Sequence, residues 1–193
     1  MQSASKKVMA SIVILVAIGT MLYVSTKGGQ DTPSAVSSSS SSDLFALWQP
    51  VPNAQWHYAL RIPASFSLTN KADDASVLRY AQDGMILEIF AEPAASLSTY
   101  LSSVDAIRAT AYEGQPSVDV RAERDVTVDG LPAKEREVFL NAAGFTAMET
   151  IVVRDGTAYR FSTLFEGATD VADDGRKLHR DILSTVTFDP RSM

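Results

Sequence analysis

The chain contains no cysteine. That absence excludes disulfides, thiolate nucleophiles, cysteine-ligated zinc and a lipidated N-terminal cysteine together. It leaves the redox compartment open, because a disulfide-free fold is stable in either. Histidine is scarce too, with His57 and His179 alone, and no carboxylate spacing accompanies them as a metal site requires. The G-x-S-x-G elbow, the P-loop, G-x-G-x-x-G and H-E-x-x-H are missing, and with them the local signatures of several hydrolase, nucleotide and zinc-protease chemistries. Basic residues run short as well. Beyond residue 42 there are 14 against 22 acidic ones, a net charge of −8. An acidic body argues against nucleic acid or anionic lipid as the main ligand, since both select a basic footprint.

Charge disappears altogether from Val8 to Thr26. As a helix these 19 residues span about 28 Å, close to the roughly 30 Å of bilayer hydrocarbon. Lys6 and Lys7 precede them, so the positive-inside rule leaves residues 1–7 in the cytoplasm and carries the rest outside. A cleaved signal peptide is the competing reading, but its apolar core is usually shorter, and no good A-x-A-like site follows Val24. The expectation is a single-pass cell-membrane protein with a signal-anchor helix at 8–26, or a secreted one if the segment is cleaved. Residues 27–42 end in six consecutive serines and read as a flexible tether. Counted from Ser25, about 18 such residues reach roughly 24 Å. The remainder, 43–193, is long enough for one extracytoplasmic domain with a core of its own.

Asp83-Gly84, Asp129-Gly130 and Asp155-Gly156 each separate runs rich in Val, Ile, Leu, Tyr or Phe, the pattern of tight β-hairpins. With a further turn at Asn141 to Gly144, they predict a meander of strands near 123–128, 133–140, 145–153 and 157–165. An earlier hairpin pairs 75–82 with 85–91, "WHYALRI" makes another strand, and "STVTF" makes a short closing one. Leu97, Tyr100, Leu101, Val104, Ile107 and Ala111 recur at helical spacing after Ser96, a plausible N-cap. Val171, Gly175, Leu178 and Ile182 form a second stripe, with Asp170, Asp173 and Asp174 at its start and Lys177 and Arg180 later, as the helix dipole favours. Phe145, Ile151 and Val153 alternate with Met148 and Val152, so the sheet is apolar on both faces and needs cover on both. The fold class that follows is α+β: a three-layer α/β/α sandwich on a mainly antiparallel central sheet, preceded by the transmembrane helix.

Residual motifs carry little chemistry. "DVADDG" lacks the alternating order and distal Glu of a calcium loop and reads as helix N-terminal charging. Asp73-Asp74 sits in a polar turn. A paired-carboxylate hydrolase needs two acids that meet only in the fold, and no pair stands out. The aromatics lead further: Trp48 and Trp56 flank the Pro-containing segment "QPVPNAQ" near the tether, and exposed Trp is enriched at interfaces. In "AKEREVFL" the charges read as wetting both faces of a strand at its start. Lys134 and Arg136 there, with Trp48 and Trp56, are the candidate partner-binding residues. No catalytic, metal or cofactor residue is assigned.

"YALRIPASFSL", "MILEIFAE", a helix, "VTVDGLPAKEREVFL", "TAYRFSTLF" and a last helix running into "ILSTVTF" occur in an order that resembles the PsbP/Mog1-like superfamily, including bacterial extracytoplasmic members related to DcrB and LpqN. The likeness covers roughly residues 55 to 188. It rests on scaffold features: Pro63, the "DGLPA" turn and the final helix with its tail. The resemblance implies an α/β/α fold and a non-catalytic accessory or partner-binding role, with no functional residue carried over. Together these features predict a membrane-tethered interaction module of the cell envelope, with a protein partner and no nucleic acid. The alternatives are a small-ligand or lipid-binding domain using a sheet–helix cleft, and less favoured, an envelope hydrolase.

Overall fold

A computed structural model describes residues 45–71, 76–109, 117–141 and 143–188. The signal anchor, the tether, the Asp73-Asp74 turn and Ala111 lie outside the described residues. Among those described, no helix is long and apolar enough to cross a membrane.

Alternating sequence builds a seven-stranded antiparallel sheet from β3 (Ser67–Lys71), β4 (Val77–Gln82), β5 (Met85–Pro93), β6 (Val118–Val128), β7 (Leu131–Leu140), β8 (Phe145–Arg154) and β9 (Thr157–Phe165), in the order β3-β4-β5-β9-β8-β7-β6. The predicted meander is present, and β9 closes it against β5. At Asp129-Gly130 and Asp155-Gly156 both residues have positive φ, 49° with 75° and 48° with 78°. This backbone matches the strand twist and selects Asp-Gly.

A second, two-stranded sheet pairs β1 (Trp48–Asn53) with β2 (Tyr58–Pro63). Pro50 and Pro52 hide β1 from strand patterning, yet their places are compatible with it. They oppose Arg61 and Ala59, whose own N–H groups point away from β1, to the Thr185 hydroxyl at 2.8 Å and the Thr187 carbonyl at 2.8 Å. The prolines therefore occupy rungs that exchange no ladder bond, on an edge strand, where a missing N–H costs nothing. "STVTF" is not the short closing strand expected. It follows the last helix as turns and makes one antiparallel bridge, Ala59 with Thr187. Phe188 N–H donates to Asp129 Oδ2 at 3.0 Å, which ties this closing segment to the β6–β7 turn.

Two helices are described, α1 (Leu97–Arg108) and α2 (Asp173–Leu183). Ser96 caps α1 as its position predicts, its hydroxyl accepting from Thr99 N–H at 3.2 Å. Ala172 precedes α2 without a side-chain cap, which leaves Asp173 and Asp174 to satisfy the positive helix end electrostatically. Tyr100, Leu97, Leu101 and Val104 of α1 pack with Ile151, Val153 and Ala158. The α2 side chains instead meet Thr150 and Thr163. Neighbouring strand residues point to opposite faces, so the two helices cover opposite faces of the sheet. The β1–β2 hairpin lies on the α2 side. There Tyr58, Leu60, Ile62, Leu87, Ile89, Phe161 and Ile182 are essentially inaccessible and form the main core. Each such side chain contributes roughly 1.5–3 kcal/mol on burial.

At Gly175 helix α2 lies close against Phe165 and Val171. A Cβ there would sit 2.7 Å and 2.9 Å from ring carbons of Phe165 and 3.3 Å from a Val171 methyl. Gly175→Ala gains about 1 kcal/mol of helix propensity but must displace the Phe165 ring, an overpacking cost of about 1–3 kcal/mol. A net loss is expected, larger for Gly175→Val, read as a lowered urea midpoint. An unchanged or raised midpoint in Gly175→Val would show that the close approach is slack.

Candidate functional site

Beneath α1 the sheet carries ions beside the apolar Ile151, Val153 and Ala158. Asp105 and Arg108 lie three apart on α1 and so share one of its faces. Each clamps a residue of opposite charge on the sheet. Arg108 donates in a fork to Glu149, at 2.9 Å and 2.7 Å. Asp105 accepts in a fork from Arg136, at 2.7 Å and 3.1 Å, and Arg136 also donates to Glu123 at 2.7 Å. Arg160 lies 3.8 Å from Glu149, with its guanidinium 4.1 Å above the Phe90 ring centre. Further along, the Tyr100 hydroxyl donates to Glu92 and Arg79 pairs with Glu88. Burial by itself pushes the Glu149 carboxyl up. The charge and hydrogen bonds of Arg108, then the charges of Arg160 and Arg136, more than reverse this and hold it at about 2. An acid so placed is ionised near neutrality with both oxygens occupied, so it neither gives nor takes a proton in catalysis.

The opposite face holds His179. Its Nε2 is 2.9 Å from the Thr150 hydroxyl and its Nδ1 is 2.9 Å from the Thr163 hydroxyl. A neutral ring donates from one nitrogen and accepts at the other, so the two threonines saturate it. Burial lowers this imidazole to about 4, with Arg180 and Arg124 acting the same way and Glu135 and Glu149 against them. Glu135 is itself paired with Arg124 at 2.7 Å and Arg180 at 3.1 Å. Histidine and acids here position α2. Among the described residues, no group of three or more His, Cys, Asp or Glu is placed to hold a metal ion.

The four residues singled out from sequence are not brought together. Lys134 and Arg136 lie on the α1 face of β7, whereas Trp48 and Trp56 pack against the core of the α2 face. The two tryptophans also sit at opposite ends of the β1–β2 hairpin. Trp48 pairs with Pro63 at the open end, and Trp56 lies in the turn after Asn53, its carbonyl accepting from the Tyr159 hydroxyl at 2.9 Å. The expectation that charges wet both faces at the start of β7 is corrected. Glu135 and Arg136 are only 4% and 5% exposed, because each is enclosed by ion pairs from β6 and from the helix above it. Lys134 pairs with Asp125 at 2.7 Å and Glu123 at 3.2 Å.

Two features escape sequence pattern. Glu149 is signalled only by its alternation with Ile151 and Val153, an acid on an inward face. Leu47 lies in the apolar run "LFALW" just ahead of β1 and is 83% exposed. Between α2 and the sheet the space is filled by core side chains. A depression of about 230 Å³ lies instead at the β1–β2 turn, lined by Pro52, Asn53, Gln55, Leu68 and Tyr80.

No family model matches the chain, and no curated protein matches it. Among solved structures it is similar to the cyanobacterial PsbP (CyanoP) of Synechocystis sp. PCC 6803, with TM-score 0.57 and 13% identity, over 81% of this chain and 98% of that one. A protein of Bacteroides thetaiotaomicron VPI-5482 is matched at TM-score 0.47 and 8% identity, over 76% of this chain and 50% of that one. The first match establishes a PsbP-like fold, in agreement with the resemblance of the sequence motifs.

Proposed function

We propose that a PsbP-like domain serves here as a non-catalytic accessory module of the cell envelope, tethered by residues 8–26 and presented outside the membrane on residues 27–42. One observation carries the non-catalytic reading: the buried ionisable groups most suited to chemistry, Glu149 and His179, have every polar atom engaged in holding a helix to the sheet. The charge-free run behind Lys6 and Lys7 and the serine-rich segment after it support the tether. The module acts by binding a protein partner through surface left free by the two helices. Crosslinking followed by pull-down of the full chain from native membranes should recover the same partner repeatedly. The chain itself should stay in the carbonate-washed membrane pellet with its body open to protease from outside. Release by carbonate would sink the tether, and repeated recovery of intact chain alone would sink the accessory role.

A further inference from the structure

We infer that the open end of the β1–β2 hairpin, formed by Phe45, Leu47 and Trp48, docks onto the interfacial region of a zwitterionic phospholipid bilayer; this rests on the membrane anchor proposed above. Trp48 N–H donates to the Phe45 carbonyl at 3.1 Å, closing a turn that presents Leu47 outward. Leu47 is the most exposed large apolar side chain among the described residues. The Phe45 and Trp48 rings meet edge to face at 4.9 Å, both half-buried, so the tip is a preformed apolar knob. Charge is distributed accordingly. On a body with net charge −8, residues 45–71 contain no Asp or Glu, and their charged residues are Arg61 and Lys71. The exposed Arg61 donates to the Trp48 carbonyl at 3.4 Å, which places a cation beside the aromatic pair at headgroup depth. Trp with a neighbouring Arg above an apolar tip is the composition of a membrane interface.

The chain's length fits as well. Phe45 follows the last serine of the tether by three positions, and that tether spans roughly 24 Å from the apolar run. A knob of three side chains is small for a stable protein interface, which needs about 1,000 Å² or more. Against a bilayer it needs little affinity of its own, because the anchor already supplies a high effective concentration.

The lack of any native thiol gives a direct test. In the full chain, Leu47→Cys and separately Gln55→Cys carry an environment-sensitive NBD dye, at the open and turn ends of the same hairpin. Both proteins are reconstituted into phosphatidylcholine vesicles, with and without doxyl-labelled lipid. The dye at position 47 is expected to brighten and to lose most of its emission to the doxyl lipid, while the dye at 55 stays dark and unquenched. As a label-free check, Trp48→Phe should remove the bromolipid-quenchable component of the intrinsic emission. Chain that floats with the vesicles while position 47 is unquenched overturns the docking and leaves the anchor standing. Failure to float overturns both. Equal quenching at 47 and 55 overturns the docking in favour of unspecific adsorption. A dye at 47 shielded in native membranes but not in protein-free vesicles overturns it in favour of a protein partner.

Discussion

Glu149→Ala is expected to destabilise the domain by about 3–5 kcal/mol. The loss comes less from the missing bonds than from what remains. Arg108, 15% exposed, and Arg160, 14% exposed, would face each other across an emptied site with no anion between them. Removing one member of a buried pair costs more than removing both, since the survivor keeps its desolvation penalty. The double variant Arg108→Ala with Glu149→Ala should therefore lose clearly less than the sum of the single ones, by more than about 1 kcal/mol in a double-mutant cycle. Additive losses would mean that water already solvates the site. The carboxyl also fixes a pH signature. Its folded value is lowered to about 2 from an ordinary 4.5, so its stabilisation is complete above pH 4.5 and disappears as pH falls towards 2. About 3 kcal/mol is at stake over that window. Urea midpoints of wild type and Glu149→Gln between pH 5 and pH 2 should converge.

A second large effect lies at higher pH. The folded value of His179 is lowered to about 4 from 6.5. The unfolded chain therefore binds a proton that the folded chain refuses as pH falls between these values. Stability is complete above pH 6.5 and declines by about 3 kcal/mol on the way to pH 4. Protonation would make both ring nitrogens donors and place a cation near Arg180 and Arg124. Removing the ring abolishes this slope: His179→Gln should be less stable than wild type at pH 7, with the gap narrowing steadily towards pH 4. A gap that stays constant over that range would show that the imidazole titrates as freely in the fold as outside it. The two windows separate the helices, since acid first burdens the seat of α2 and only later that of α1.

The sheet was largely legible because its information is local. Asp-Gly turns require a backbone that few other pairs adopt, and two-sided apolar strands require cover. Helix α1 was legible down to its Ser96 cap. What escaped depends on contacts between distant segments. Pro50 and Pro52 argue against a strand until Thr185 and Thr187 are seen to take up the β2 donors behind them. The closing segment resembles a strand by composition, but it meets β2 of the first hairpin, where Ala59 and Thr187 make a single bridge. The charges of β7 are the clearest case. Alternating Lys, Glu and Arg looks like solvated surface, and nothing in the stretch itself announces that Asp105, Arg180 and Arg124 arrive to enclose Glu135 and Arg136. Of the candidate residues, Trp48 was legible as an aromatic soon after the serine run, whereas the exposure of Leu47 became visible only once the chain turned.

The first hairpin also fixes how the fold bears a mechanical load. Any pull transmitted through the residues ahead of Phe45 reaches Trp48, which is paired with Pro63 at the open end of β1–β2. Strands loaded at the same end come apart rung by rung, whereas strands loaded at opposite ends must shear all rungs together. The rungs at Pro50 and Pro52 exchange no backbone bond, like alternate rungs of any antiparallel pair, so the bonded rungs that alternate with them and the buried Val51 resist the peeling. A pull from that side would part β1 from β2 before it reached β2, which is also held by its bridge to Thr187. Such a load would thus fall first on the two-stranded hairpin and only then on the seven-stranded sheet.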